Sequence, residues 1–491
     1  MKAFPLIFAI LFLTKVSFPQ TSDSKDTTKA NFRDFEKSWN EGFNEYAAKH
    51  DSDLSKYLRN HWEKYQIFID SISPKNKPKK QPRFIPETGK VEFIDPDSAI
   101  GKDERKFYQI FQDSTPVKND INYFSPETSF EFYGEKPVNN FIKTDLKITA
   151  INESSIKEFL RKYYSDKTLE KNKIELIRIA EDMCLNDYGY YLLLRKAAVQ
   201  MFASQNERAL FTWLYLRSMN KRKVILGYDK NNAYCLAACD NNLFNHQYVL
   251  IEKMKYYVFL APGQPKPTGD LSYYDLENST KTNPLALEIA RFPNLNYRTS
   301  TRFYPFNRDT LHINTNLFLI EFLRDFPQTN LKYYFNAPIS EKALNALDHE
   351  VKPLLNGKTE VEKVNTLLSF FHKSFRYKTD QDQFGSEKYM FCDEVLFYPY
   401  TDCDDRAVLF ARLVKRYTGL PVIGLDYPSH VSVGVCFSTP EPGDSVKFRK
   451  KNYLICDPTI INAKVGNASD SMNAVKPVVI EVNVDSSNNS K

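Results

Sequence analysis

The seven cysteines of this 491-residue sequence include no CxxC pair. Structural zinc sites bring their Cys and His ligands together in such closely spaced pairs. Cys235 and Cys239 have no second Cys or His pair to complete a site, so we predict no metal centre and no cofactor. Because seven is an odd number, at least one thiol stays outside any intramolecular disulfide.

A strong excess of charge of one sign is also missing. The 67 basic and 61 acidic residues give a net charge of only +6 over the whole chain. The short basic stretch Lys75–Lys80 is interrupted by proline, which is typical of a linker rather than of a nucleic-acid surface. We predict no nucleic-acid partner, and the sequence leaves the oligomeric state open.

The apolar run near the N-terminus, Phe4–Leu13, is too short to span a bilayer, which takes about 20 residues. Lys2 precedes the run and polar residues follow it at positions 21–23, a pattern typical of a secretory signal peptide. We therefore predict a signal peptide over residues 1–20, export to the periplasm or the extracellular space, and no stable membrane insertion. An uncleaved N-terminal anchor is the alternative, since no A-x-A pattern marks a cleavage site.

Hydrophobic residues make up 42% of the sequence, enough for a sizeable core, and the length fits about three domains at roughly 150 residues each. Helical periodicity is clear at residues 32–46, over residues 155–204 and again from residue 340 to residue 375. We predict a helical segment and linker over residues 21–86, a domain over 87–262, a mostly β bridging segment over 263–335, a second domain over 336–470 and a polar tail over 471–491.

The two predicted domains contain related stretches. Gln205–Phe211 and Cys403–Phe410 both open an apolar helical run, and a strand follows each run. Chance similarity of two helix–strand units is the alternative to a duplication that has degenerated in the first copy. The proposed equivalents are Gln205 for Cys403 and Asn232 for His430 (or His246, with a gap) at an offset of 198 residues, and Ala261 for Asp457 at an offset of 196.

The chemistry-bearing residues of the second domain begin with Cys403. Asp402 is a good helix N-cap, which places Cys403 in the first helical turn. The positive end of the helix dipole favours a thiolate there, whereas the charges of Asp404 and Asp405 oppose it. Activation of this thiol therefore requires an imidazolium partner.

His430 and Asp457 supply such a partner and its orienting carboxylate. His430 begins a predicted strand 27 residues after Cys403, and Asp457 ends another strand 27 residues later, just before Pro458. A nucleophile, a base and an orienting acid in this order are compatible with Cys–His–Asp catalysis. Individually, each residue also has an ordinary reading as a packed thiol, a turn histidine or a turn-starting aspartate.

The stretches DCDDRAVLF, DYPSHVSVGV and YLICDPT resemble the transglutaminase-like superfamily, clearest over residues 361–462. This superfamily has a papain-like fold and includes transglutaminases, cysteine proteases and peptide-deglycosylating amidases. The resemblance implies an α+β core, in which the helix bearing Cys403 packs on an antiparallel sheet, with a degenerate copy upstream. No calcium-binding segment of animal transglutaminases is recognisable, so calcium dependence is not implied.

The predicted function is a thiol-dependent amide-bond hydrolase or acyl transferase that acts on a peptide or protein through Cys403, His430 and Asp457. The alternative is a non-catalytic secreted binding or scaffold protein with a vestigial triad. Gln383 is a candidate oxyanion donor, or else only a loop residue bonded to backbone. We expect structural roles for three further residues: His372, Arg406 as an ion-pair residue, and Cys392 as a gap filler unless it pairs reversibly with Cys403.

Overall fold

The computed structural model describes residues 90–91, 130–136, 144–219, 222–244, 246–276, 282–469, 472 and 475–483. These residues belong to one compact unit, Asp70–Lys491. The predicted signal peptide, the predicted helical segment and linker before residue 87 and the end of the tail lie outside them. Within the described part of the chain, none of the helices combines the length and the apolar character needed to cross a membrane.

The first lobe, residues 144–276, opens with four helices separated by short turns. Asp166 lies between the first two and caps the second, because its carboxylate accepts the backbone N–H groups of Thr168 and Leu169. Apolar residues of each helix face the common core. The helices are α1 (Glu153–Ser165), α2 (Lys167–Asp182), α3 (Asp187–Met201) and α4 (Gln205–Ser218).

An antiparallel sheet completes the first lobe, with α4 packed on its central strands. The central strand Ala233–Ala238 is fully buried, which explains why its sequence is a continuous apolar run and does not alternate between apolar and polar residues. The strands are β1 (Lys90–Val91), β2 (Val224–Tyr228), β3 (Ala233–Ala238), β4 (Tyr248–Ile251), β5 (Met254–Phe259) and β6 (Leu271–Tyr274), in the order β1-β6-β2-β3-β5-β4.

The bridging region was predicted to be mostly β over residues 263–335, whereas its described residues form strands only at Leu271–Tyr274, Thr299–Phe306 and Asp309–Asn316 and helices after them. The hairpin β7 (Thr299–Phe306) and β8 (Asp309–Asn316) leads directly into helices α5 (Leu317–Asp325) and α6 (Leu331–Asn336). The side chain of Asn316 accepts the backbone N–H of Phe318 and so starts the first of these helices at the end of the strand. The apolar run that follows buries one face, as a helix does.

The described residues of the second lobe, residues 340–483, form five α-helices, one short 3-10 helix (Lys352–Leu355) and two sheets. Strands β9 (Arg376–Tyr377) and β10 (Tyr400–Thr401) form a short parallel pair. The other strands form an antiparallel sheet of order β13-β14-β12-β11-β15. The helices are α7 (Glu341–Val351), α8 (Glu360–Ser374), α9 (Asp380–Phe384), α10 (Cys392–Phe397) and α11 (Cys403–Thr418), and the strands of the large sheet are β11 (Val422–Tyr427), β12 (His430–Val435), β13 (Ser445–Phe448), β14 (Lys451–Cys456) and β15 (Val478–Glu481).

The large sheets of the two lobes have the same strand order over five strands. In each, the helix α4 or α11 precedes two paired strands, a hairpin adds the next two, and the last strand returns to pair with the first. The hairpins β4–β5 and β13–β14 also share a two-residue turn in which both residues have positive φ (50° and 66° at Glu252 and Lys253, 45° and 64° at Arg449 and Lys450). This is the topology that a duplication requires.

Strand register fixes which residues are equivalent. Val224 pairs with Ala237, and Val422 pairs with Val435, so an offset of 198 residues carries through and Asn232 takes the position of His430. Phe259 pairs with Cys235 as Cys456 pairs with Val433. Two predicted equivalents are thereby corrected: Leu260, not Ala261, stands at the position of Asp457, and His246 lies before β4, away from the start of β3.

Candidate active site

Cys403 is the first residue of α11, which packs against β11 and β12. Asp402 and Asp405 form a capping box at this end of the helix, and Asp405 Oδ2 accepts the backbone N–H of Asp402 at 3.2 Å. The Cys403 side chain is half-buried, with Sγ 4.0 Å from Oδ1 of Asp404. The thiol at the start of the helix therefore lies next to the carboxylate of Asp404.

His430 begins β12 directly after a tight connection from β11, in which Tyr427 and His430 are cross-strand partners. β14 pairs with the other edge of β12 and delivers Asp457 beside it. Nε2 of His430 lies 2.6 Å from Oδ2 of Asp457, whose side chain is fully buried, while the imidazole is 23% exposed. The predicted contact between base and orienting acid is thus present.

The thiol lies next to the first residues of β12. The backbone N–H of Val431, which follows His430, is close enough to lower the pKa of Cys403. Between the described atoms of Cys403 and His430, no hydrogen bond joins Sγ to the ring. Because Nε2 binds Asp457, the other ring nitrogen, Nδ1, remains for the thiol.

The surroundings shift the pKa values of the two acidic groups of the site, Cys403 and Asp457, in opposite directions. Burial and the carboxylate of Asp402 raise the pKa of Cys403 well above its usual value. For Asp457, burial raises the pKa, but the hydrogen bond from His430 and the backbone N–H groups of Thr459 and Ile460 outweigh it, so the net shift is downward. These effects disfavour a thiolate at Cys403 and favour the ionised form of Asp457.

Two residues hold the turn that carries Asp457. Nε2 of His372 lies 3.3 Å from the backbone carbonyl of Asp457, which fits its predicted structural role. Arg406 is buried and was predicted to form an ion pair, but its guanidinium instead donates to oxygens of three separate segments. These are Thr401 Oγ1 (3.1 Å), the Pro458 carbonyl (3.4 Å) and the Phe375 carbonyl (2.8 Å).

Gln383 lies in α9, and its amide Nε2 donates to the carbonyl of Tyr400 at 3.3 Å. Its Oε1 is buried without a hydrogen-bond partner among the described residues. One N–H of the amide therefore serves the backbone of the loop before Cys403. This contact matches the ordinary reading of Gln383 rather than a donor aimed at a substrate.

The sequence pattern did not single out Tyr377, which the structure places at the mouth of the site. The parallel pairing of β9 with β10 sets Tyr377 opposite Thr401, two residues before Cys403. The ring is 53% exposed and lies 5.5 Å from the guanidinium of Arg406. Burial of the phenol and the nearby Cys403 raise the pKa of Tyr377. An aromatic residue two positions before Thr379, a residue type that caps helices, was the available signal in the sequence.

The described cysteines are all free thiols. Cys392 is fully buried at the start of α10, and burial raises its pKa to about 12. This fits the predicted gap filler. A thiol in that position is inert compared with one exposed at a helix start.

The equivalent position in the first lobe carries no nucleophile, base or acid, and polar amides fill it. Nε2 of Gln205 donates to the carbonyl of Gly263. Gln264, which is buried, donates through Nε2 to the carbonyl of Ala233, the first residue of β3, and accepts the N–H of Ala261 at 2.9 Å. Hydrogen bonds between these side-chain amides and the backbone therefore occupy the equivalent position of the first lobe.

No protein-family model matches the chain, and no similar protein was found among curated proteins or among solved structures.

Proposed function

We propose that the second lobe is a thiol-dependent amide-bond hydrolase or acyl transferase of transglutaminase-like type, with Cys403 as nucleophile, His430 as base and Asp457 as its orienting acid. The observation that carries this proposal is the 2.6 Å contact between His430 Nε2 and Asp457 Oδ2, beside a cysteine at a helix N-terminus. Burial of a charged carboxylate at a strand end is costly unless the carboxylate has a partner, and here that partner is the imidazole of His430.

In the proposed reaction, Nδ1 of His430 takes the proton of Cys403 as Sγ attacks the carbonyl carbon of a peptide or protein amide. Asp457 holds the imidazole in the tautomer with Nε2–H and stabilises its charged form. His430 then returns the proton to the leaving amine, which leaves a thioester on Cys403. Water, or a second amine, resolves the thioester.

The developing oxyanion needs donors that face the attacked carbon. The backbone N–H of Cys403 at the start of α11 is one candidate. Tyr377 is a better second candidate than Gln383, because its hydroxyl makes no hydrogen bond among the described residues and it lies beside the thiol. We propose that Tyr377 donates to the oxyanion.

The raised pKa of Cys403 supports a second candidate function, a binding or scaffold protein of exported type with a vestigial triad. A thiol that stays protonated at neutral pH is a poor nucleophile unless proton transfer to His430 accompanies attack. The two functions therefore predict different reactivities for Cys403.

Alkylation by iodoacetamide at pH 7, followed by peptide mapping, separates them. A functional triad labels Cys403 at least tenfold faster than the half-buried thiols of Cys184 and Cys436 in the same molecule. His430→Ala should remove that advantage and also abolish acyl transfer from p-nitrophenyl acetate. Labelling of Cys403 at the rate of the reference thiols, with no ester turnover, would establish the scaffold alternative.

A further inference from the structure

A group of three side chains next to the proposed nucleophile has the composition of a metal site. One ligand atom each from Asp402, Cys403 and Asp404 lies within 4.8 Å of the others. Asp402 and Asp404 are buried, with exposed fractions of 8% and 4%. Buried carboxylates in contact with one another need either a proton or a cation between them.

Asp404 provides the observation that points to a ligand. Its Oδ2 is buried and has no hydrogen-bond partner among the described residues. A buried oxygen that lacks a donor is costly to desolvate, and a bound cation would satisfy it.

The cationic side chains nearby are engaged elsewhere. Nζ of Lys388 lies 2.7 Å from Glu394, and the guanidinium of Arg406 donates to Thr401 and two backbone carbonyls. Within the described part of the chain, Asp404 forms no ion pair. Neither cationic side chain therefore serves as the counter-ion of the acidic group beside Sγ.

A second acidic group consists of Asp380, Asp402 and Asp405. Unlike Asp404, the two residues that join Asp402 in this group have hydrogen-bond donors. Asp380 Oδ2 accepts the backbone N–H of Lys388 at 2.8 Å. Asp405 accepts the N–H groups of Met390 and Asp402, each at 3.2 Å. These carboxylates already have donors, so they fix the loops around α11.

We propose that Asp402, Cys403 and Asp404 bind one Zn²⁺ ion, and that this ion blocks the nucleophile. A thiolate with two carboxylates suits a borderline-soft ion, whereas Ca²⁺ and Mg²⁺ prefer six or more oxygen ligands. Three protein ligands leave the fourth tetrahedral position to water. Binding converts the thiol into a zinc thiolate and releases its proton to solvent, without any change of oxidation state.

This inhibition rests on the proposed function, because the ion would block its nucleophile. Binding of the ion does not require catalytic activity, and the test measures binding alone. The full chain is reduced, freed of metal with chelator and titrated with Co²⁺ as a spectroscopic substitute for Zn²⁺. A thiolate ligand gives a sulfur-to-cobalt charge-transfer band, which added Zn²⁺ then displaces. We expect one equivalent to bind.

Variants identify the ligands. Cys403→Ser should remove the charge-transfer band, and Asp404→Asn should weaken metal binding at least tenfold. Cys436→Ser and Asp382→Asn, which change a distant thiol and an exposed acid, should bind like the parent. Circular dichroism and thermal unfolding verify that each variant is folded.

Protection provides a second measurement that does not depend on the variants. Zn²⁺ at saturating concentration should slow alkylation of Cys403 at least tenfold and leave Cys184 unaffected. The proposal is overturned if the parent gives no charge-transfer band, if Cys403→Ser retains it, or if Zn²⁺ leaves the alkylation of Cys403 unchanged.

Discussion

Nε2 of His430 and Oδ2 of Asp457 lie 2.6 Å apart although 27 residues separate them in sequence. The contact exists because β12 and β14 are neighbours in the sheet, so the first residue of one strand meets the residue that follows the other. The carboxylate accepts two further N–H groups, from Thr459 and Ile460. Its position is therefore held by the backbone and not by the imidazole alone.

Asp457→Asn should lower kcat/KM by about 10²–10⁴-fold with little change in fold, because the amide leaves the imidazole in the wrong tautomer. Steady-state hydrolysis of p-nitrophenyl acetate measures the effect, with Asp309→Asn, a change at an exposed residue of β8, as control. An Asp457→Asn enzyme with parental kcat/KM would show that the carboxylate has no part in the chemistry.

Tyr377→Phe should lower kcat by about 10²-fold with KM nearly unchanged, because one oxyanion donor is lost only in the transition state. Gln383→Ala should change kcat by less than about threefold, since that amide serves the carbonyl of Tyr400. The pair of variants is compared with the same ester substrate. The opposite ranking would return the oxyanion role to Gln383.

Local signals in the sequence predicted the core of the site. An N-cap at Asp402 sufficed to place the helix of Cys403, and the apolar runs beside His430 and Asp457 sufficed to place their strands. These features depend on residues close in sequence, which is why they are readable without the fold.

Features that depend on distant partners were not predictable. Tyr377 reaches the site through two strands of two residues each, too short to leave a pattern. The partners of Arg406 are backbone carbonyls and a hydroxyl, which sequence does not reveal. Leu260 was missed because the sequence comparison aligned Pro262 with Pro458, which places Ala261 at the position of Asp457. The strand register of the two sheets instead places Leu260, one residue earlier, at that position.

Stability should fall as pH rises from about 4 to about 6 through Asp393. Burial raises the pKa of this carboxyl to about 6, although Ser340 donates to it through its backbone N–H. The folded state then binds the proton more tightly than the unfolded chain, whose Asp pKa is about 3.9, so ionisation costs about 3 kcal/mol above pH 6.

Asp393→Asn should abolish that part of the pH dependence, because the amide stays neutral. Urea unfolding at pH 4, 5, 6 and 7 gives the free energy of unfolding of each protein. The variant should gain on the parent by about 2 kcal/mol between pH 4 and pH 7. Parallel curves for the two proteins would mean that Asp393 titrates normally.

Arg406→Lys should destabilise the second lobe by about 2–4 kcal/mol. The guanidinium joins the end of α8, the strand before α11 and the turn after Asp457 through the three oxygens of Phe375, Thr401 and Pro458. A single ammonium cannot reach all three, so buried acceptors lose their donors at about 1–3 kcal/mol each.

The matched control is Arg416→Lys in the last turn of the same helix, where the guanidinium pairs with Asp348 in a partly exposed position. A pair of that kind contributes less than about 1 kcal/mol. Urea unfolding midpoints at constant m-value measure both changes.

Because the Pro458 carbonyl follows Asp457 directly, Arg406→Lys should also slow alkylation of Cys403, whereas Arg416→Lys should not. Equal losses of stability in the two variants would show that Arg406 is no more than another helix-surface arginine.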